Sequence, residues 1–282
     1  MRVLVGAIGL GLGLALVPGV AQAMPDASWH QRGIDMTPRL QWNANDGYCG
    51  ETSFISAGMR YGQYASQWTV RATVSPGVPQ TKPSSQLLLG VHTRRDAQAL
   101  RLASVDFPSA RQSSTAQFLR WVKVRFLRGD AVIIGIYNNV TTLGEPASLA
   151  DPDYDHITPV MGIGSGSPLA LRGPGLRYLP SDNITISDNG LFTVGRLYPY
   201  LFTYRMGDFM LDRRQASAVG GPVYSLRRSP PNYGTAVTGV LDRDGVTIPV
   251  RLTSDRNGEG VQNQPRLEQP PPALPMRITA TV

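Results

Sequence analysis

Cys49 is the single cysteine of the chain and stands in the run Gly47-Tyr48-Cys49-Gly50-Glu51, at the entrance to an apolar stretch with helical spacing. The chain opens like an export signal, and exported proteins use cysteines in pairs, so a lone thiol points to reactivity. A thiol attacks carbonyls as thiolate, a form favoured by a helix N-terminus and by a neighbouring imidazolium. Asn45 or Asp46 is placed to cap the helix, and Glu51 falls in its first turn, where a carboxylate suits the dipole. The imidazole must come from one of three histidines. His30 lies in a polar segment without a partner pattern, and His92 sits between helices beside Arg94 and Arg95. His156 lies where an Asp-rich loop enters the run Ile157-Thr158-Pro159-Val160, so its ring can project from the rigid end of a strand. His156 is the candidate base.

An imidazole in that role needs a third group to fix its tautomer and orientation. The alternating run Ile184-Thr185-Ile186-Ser187 ends in Asp188-Asn189-Gly190. Asp188 shares the parity of Ile184 and Ile186 while Asn189 has the opposite parity, so only one of them faces His156. Asp188 is favoured and Asn189 is the alternative orienter. Gln41, ahead of the nucleophile turn, can join the Cys49 amide as an oxyanion donor, worth roughly 3–4 kcal/mol where such a donor is used. Asp151, Asp153 and Asp155 lack His or Cys at ligand spacing, so no metal is expected. Asp155 is expected to raise the imidazole pKa by charge pairing. Trp29, Trp42, Tyr48 and Trp68 are candidates for core or for a substrate cleft.

Gln41, Gly47-Tyr48-Cys49-Gly50, His156 and Asp188/Asn189, in this order, resemble the papain-like cysteine peptidase clan. They are most similar to its branch related to the bacteriocin-leader (double-glycine) processing peptidases, over residues 38–192. The resemblance implies an α+β papain-like fold, a helical part carrying Cys49 packed on an antiparallel sheet carrying His156. It implies a thiol hydrolase acting on a peptide or protein substrate, with Cys49 as nucleophile, His156 as acid/base, Asp188 or Asn189 as orienter, Gln41 in the oxyanion hole and no cofactor. Gly50-Glu51 stand where papain has a tryptophan, and Asn189 precedes glycine rather than Ser-Trp. Two alternatives therefore accompany peptidase activity: transglutaminase- or amidase-like acyl transfer at the same site, and a catalytically silent scaffold that binds.

The elements that must hold these residues follow from periodicity and turn chemistry. Helices are predicted over 49–64, 94–103 and 114–127, the last capped by Ser113 or Ser114. Strands are predicted over 131–137, 157–163 and 184–188, and a Pro- and Ser-rich loop over 74–84. Beyond about residue 213 helical signals vanish, and strands are expected over 219–226, 235–241, 246–253 and 277–282, with a turn at 242–245. Residues 264–275 are Pro-rich. The expected organisation is a signal peptide over 1–23, a peptidase-like domain over 24–212 and a β-rich extension over 213–282.

Residues 1–23 have the basic start, apolar stretch and Ala21-Gln22-Ala23 site of a cleaved secretory signal, which directs the protein outside the cell or into the envelope. No later segment approaches the roughly 18 apolar residues of a membrane helix. The 30 glycines and 23 prolines favour loop-rich β structure over a helical bundle. Cleavage would remove Arg2, the only charged side chain of the signal, taking the formal charge from +7 to +6. The arginines behind that charge are scattered and form no basic stripe, so no nucleic-acid partner is expected.

Overall fold

The computed structural model describes residues 29–42, 44–45, 47–139, 153–189, 201–211, 222–241 and 247–248. The described residues open with strand β1 (His30–Gly33), then helices α1 (Cys49–Met59), α2 (Gln67–Val74) and α3 (Thr93–Ala99). Strand β2 (Leu102–Asp106), helix α4 (Thr115–Leu127) and strands β3 (Ala131–Asn138), β4 (His156–Ser165) and β5 (Asn183–Ser187) follow. The remainder is β6 (Leu201–Arg205), the single turn α5 (Met206–Phe209), β7 (Tyr224–Ser225), β8 (Gly234–Leu241) and β9 (Thr247–Ile248). The strands form one sheet in the order β2-β8-β3-β4-β5-β6, with β1 on β4, β7 on β3 and β9 on β8. Every one of these pairings is antiparallel. The protein is thus an α+β fold on an antiparallel sheet.

Side chains alternate across a strand, and β3 uses both faces. Ala131 and Ile133 join Ile157 of β4 in a core with Phe54 and Ile55 of α1 and Val70 of α2. Val132, Ile134 and Ile136 join Val160 in a second core with Phe118, Val122 and Phe126 of α4. The unbroken apolar run of β3 is explained by helices covering the sheet on both sides. α4 starts where Ser114 Oγ accepts the Gln117 amide, a cap worth about 1 kcal/mol. Lys123 of α4 is fully buried and donates to Asp182 at 2.7 Å, which ties the helix to the approach of β5.

Several elements depart from the sequence expectation. The helix expected over 94–103 ends at Ala99. Arg101 turns the chain at φ +60°, and Leu102 then pairs with Val240 of β8. α1 stops at Met59 rather than continuing to 64, and α2 and β1 were not foreseen. The boundary expected at 212/213 does not divide the sheet, because β8 lies between β2 and β3. The expected signal (1–23), the turn at 242–245, the strand at 277–282 and the Pro-rich segment lie outside the described residues, as does most of the loop before His156. No helix among the described residues is long and apolar enough to cross a membrane.

Candidate functional site

Cys49 is the first residue of α1. The residue before it, Tyr48, is the N-cap, but no side chain caps the helix: Asn45 instead sits at φ +50° and donates through Nδ2 to the Tyr48 hydroxyl at 2.8 Å. The expected cap by Asn45 is therefore replaced by a turn bound from beneath. Arg71 of α2 supplies that support. It donates to the carbonyls of Asn45 (3.0 Å), Gln80 (3.2 Å) and Gly47, and its guanidinium lies 3.6 Å from the centre of the Tyr48 ring. Its Nε is 2.6 Å from Glu51, and both side chains are buried. Glu51 also accepts the Leu87 amide at 3.2 Å. Glu51 is thus the counter-ion of the arginine under the nucleophile turn, not merely an exposed carboxylate at the helix entrance.

The last register pair of β4 with β5 toward the site is Val160 with Ile186. Beyond it side chains join the strands, Thr158 Oγ1 donating to the Ser187 carbonyl, and the N-terminal end of α1 packs against β4. Ser53 donates to the Ile157 carbonyl at 3.1 Å, and Cys49 Sγ lies within hydrogen-bonding reach of the amides of Ile157 and Gly50. Asn189, just past β5, directs Nδ2 at the carbonyls of Ile157 (2.9 Å) and Cys49 (3.1 Å) and at Ser53 Oγ (3.3 Å). Its backbone carbonyl accepts the Gln41 amide at 2.5 Å, and its Oδ1 accepts Gln41 Nε2 at 3.3 Å. Gln41 Oε1 in turn accepts the Tyr48 amide at 2.8 Å. Cys49, Gln41 and Asn189 are therefore brought together. Both ends of the Gln41 amide are engaged, so it braces the turn before Cys49, and it must release Asn189 to serve an oxyanion.

His156 and Asp188 gather on the other side of the sheet. His156 pairs with Ile136 in the register, which assigns it to the face of Val160 and α4, whereas Ile157 faces α1. The buried imidazole lies nearly parallel to Tyr224 of β7, with centroids 5.5 Å apart and 13° between planes. Tyr224 donates to Asp188 at 2.8 Å, and the Asp188 charge acts on His156. Asp188 is thus the residue on the imidazole side and Asn189 the residue on the thiol side, as their opposite parity requires. His156 Nε2 is buried and accepts no hydrogen bond, so no hydrogen bond joins it to Cys49.

The local fields follow from this enclosure. The thiol is pushed up to about 12, chiefly by burial and further by Glu51 and Asp155, against the opposing pull of the two amides. This reverses the expectation that the helix entrance lowers it, because two carboxylates and desolvation outweigh two amide dipoles. His156 is lowered to about 4 by burial, with Asp188 pulling the other way. Asp155, expected to raise the imidazole, is instead bound to the Asn138 amide at 2.7 Å, and its charge acts on the thiol. Thiol and imidazole both rest neutral.

Tyr224, Arg71 and Ser53 were missed by sequence reasoning. A buried Glu51 demands a cation, which could have pointed to Arg71; Tyr224 in a two-residue strand gives no such signal. Of the four aromatic candidates, Tyr48 is buried and Trp42 packs against its edge at 5.4 Å, while Trp68 is 55% exposed. Among the described residues no cluster of His, Cys, Asp and Glu is arranged to hold a metal. The class defined so far is an α+β protein with one thiol at the entrance of a helix packed on an antiparallel sheet. Comparison with known protein families, with curated proteins and with solved structures gives no match.

Proposed function

We propose that the protein is an exported, papain-like thiol hydrolase, most simply a cysteine peptidase, with Cys49 as nucleophile. The observation that carries the reading is the placement of the only cysteine at the first residue of α1, with the amides of Gly50 and Ile157 converging on its sulfur. Two amide donors at that point favour the thiolate form of Cys49. His156 is the base in this reading. It accepts the thiol proton through its unpartnered Nε2 and later passes it to the leaving amine. To do so the end of β4 that carries His156 must rearrange toward the thiol, since ring rotation alone keeps the imidazole on the face of α4, while Asp188 stabilises the imidazolium.

Hydrolysis of an unfolded protein and of pooled fluorogenic peptides tests this. Cys49→Ala should abolish turnover and His156→Ala should lower it by about 100-fold or more. Turnover fully retained in Cys49→Ala overturns the proposal. Products formed with and without added amines separate acyl transfer from hydrolysis.

A second reading, a papain-like scaffold retained for binding, is favoured by the raised thiol and by the imidazole stacked on Tyr224 rather than bonded to Cys49. A folded protein without turnover, whose thiol resists a peptide aldehyde, supports that reading instead.

A further inference from the structure

Away from the thiol, the loop leading into α3 and the 3-10 turn Ser109–Arg111 face each other across a cleft of about 620 Å³. That volume falls in the roughly 300–1,000 Å³ range of small-molecule sites. Buried Phe107 and half-buried Tyr233 form its apolar part. Arg94 and Arg95 line one wall and Arg111 the other, with His92 beside them; Asp106 is the only carboxylate in the lining. Arg95 is engaged with Asp96, whereas Arg94 and Arg111 make no ion pair among the described residues. Two guanidinium groups without an ion pair among the described residues thus line one cleft with an aromatic floor.

The walls are built rather than loose. The Gly90 amide donates to Thr93 Oγ1 at 2.8 Å, and Gly90 has φ +85°. A Cβ there would lie 2.4 Å from the Tyr233 ring, so this glycine is what lets the ring lie against the loop. On the other side Ser109 Oγ donates to the Asn232 carbonyl at 2.6 Å, and the Asn232 amide donates to Gln112 at 2.6 Å. The Phe107 amide donates to the Gly234 carbonyl at 2.9 Å, joining the floor to β8.

We propose that this cleft binds a small ligand carrying a carboxylate or phosphate on a flat apolar body. Arg94 and Arg111 take the anionic group, since the planar guanidinium fork matches both geometries. The body lies on Tyr233 and Phe107. Tyr233 packs edge-on against Tyr154, at a centroid distance of 5.6 Å. Neither Cys49 nor any residue bonded to it lines the cleft, so binding does not depend on the chemistry of Cys49.

Calorimetric titration with phenyl phosphate, benzoate and inorganic phosphate tests the site and separates the two headgroups. Phenyl phosphate or benzoate should bind saturably, more tightly than inorganic phosphate. Arg94→Gln combined with Arg111→Gln, at two exposed positions whose loss the fold tolerates, should weaken that binding by about tenfold or more. Tyr233→Leu should weaken the aromatic ligand and leave inorganic phosphate unchanged, and Cys49→Ala should bind as the native protein does. No saturation by either aromatic anion up to about 10 mM overturns the proposal. So does unchanged affinity in the double arginine variant or in Tyr233→Leu.

Discussion

At the residue scale, two groups are held away from their solution protonation behaviour, and pH reports on each. The imidazole of His156 titrates near 6.5 in the unfolded chain and at about 4 in the folded one. As pH falls from 6.5 toward 4 the unfolded chain gains a proton that the folded one refuses. Stability from this residue is therefore complete above 6.5 and is lost across that window, by about 3 kcal/mol. Urea unfolding at pH 7 and pH 4.5 should show a smaller loss in His156→Gln than in the native protein. The thiol has the opposite sign. Its folded pKa is raised from 9.0 to about 12, so its contribution is complete below 9 and is lost as pH rises toward 12. At pH 8 iodoacetamide should label Cys49 about a thousandfold more slowly than a solvated thiol. Arg71 gives a third expectation. Arg71→Met leaves Glu51 buried without its cation and should cost about 3–5 kcal/mol by urea unfolding. Adding Glu51→Gln should recover part of that loss.

At the element scale, the first turn of α1 packs against β4 and the Leu87 backbone, and its fit depends on having no side chain at one position. A Cβ on Gly50 would lie 2.0 Å from the Leu87 carbonyl and 3.3 Å from Ile157. Gly50→Ala must therefore push α1 and the Leu87 backbone apart. It should destabilise the protein by about 2 kcal/mol or more and, by shifting the first turn of α1, change the labelling rate of Cys49. Asn189→Ala removes the bond to the buried Ile157 carbonyl and should cost about 1–3 kcal/mol in the same assay. Much at this scale was legible in the sequence. The cysteine at a helix entrance, the Ser114 cap of α4, the apolar run of β3 and the alternation of β5 all follow from local pattern. The parity of Asp188 and Asn189 correctly required them to face different ways. The same alternation, applied to β4, places His156 opposite Ile157, but only the partners of β4 reveal which face carries α1. The helix read through residue 103 failed because Leu102 and Ala103 continue an apolar pattern that long-range pairing with β8 converts to a strand.

Over the whole molecule, the sheet draws on the first and the last described strands alike. β8 separates β2 from β3, so residues 234–241 supply a central strand rather than an appendage. Truncation after residue 212 should leave a chain without a cooperative thermal transition, measured by circular dichroism, because β2 and the outer half of β3 lose their shared partner. Local periodicity identified β8 as a strand. Its place in the sheet was not legible, because pairing between segments more than a hundred residues apart leaves no mark on either one. That separation also sets a clock. The Thr238 hydroxyl donates to the Ala103 carbonyl across 135 positions of sequence, so the middle of the sheet closes only after nearly the whole described chain has been synthesised. High contact order of this kind slows folding. The newborn protein therefore carries two bare strand edges until β8 arrives, and that interval exposes it to aggregation.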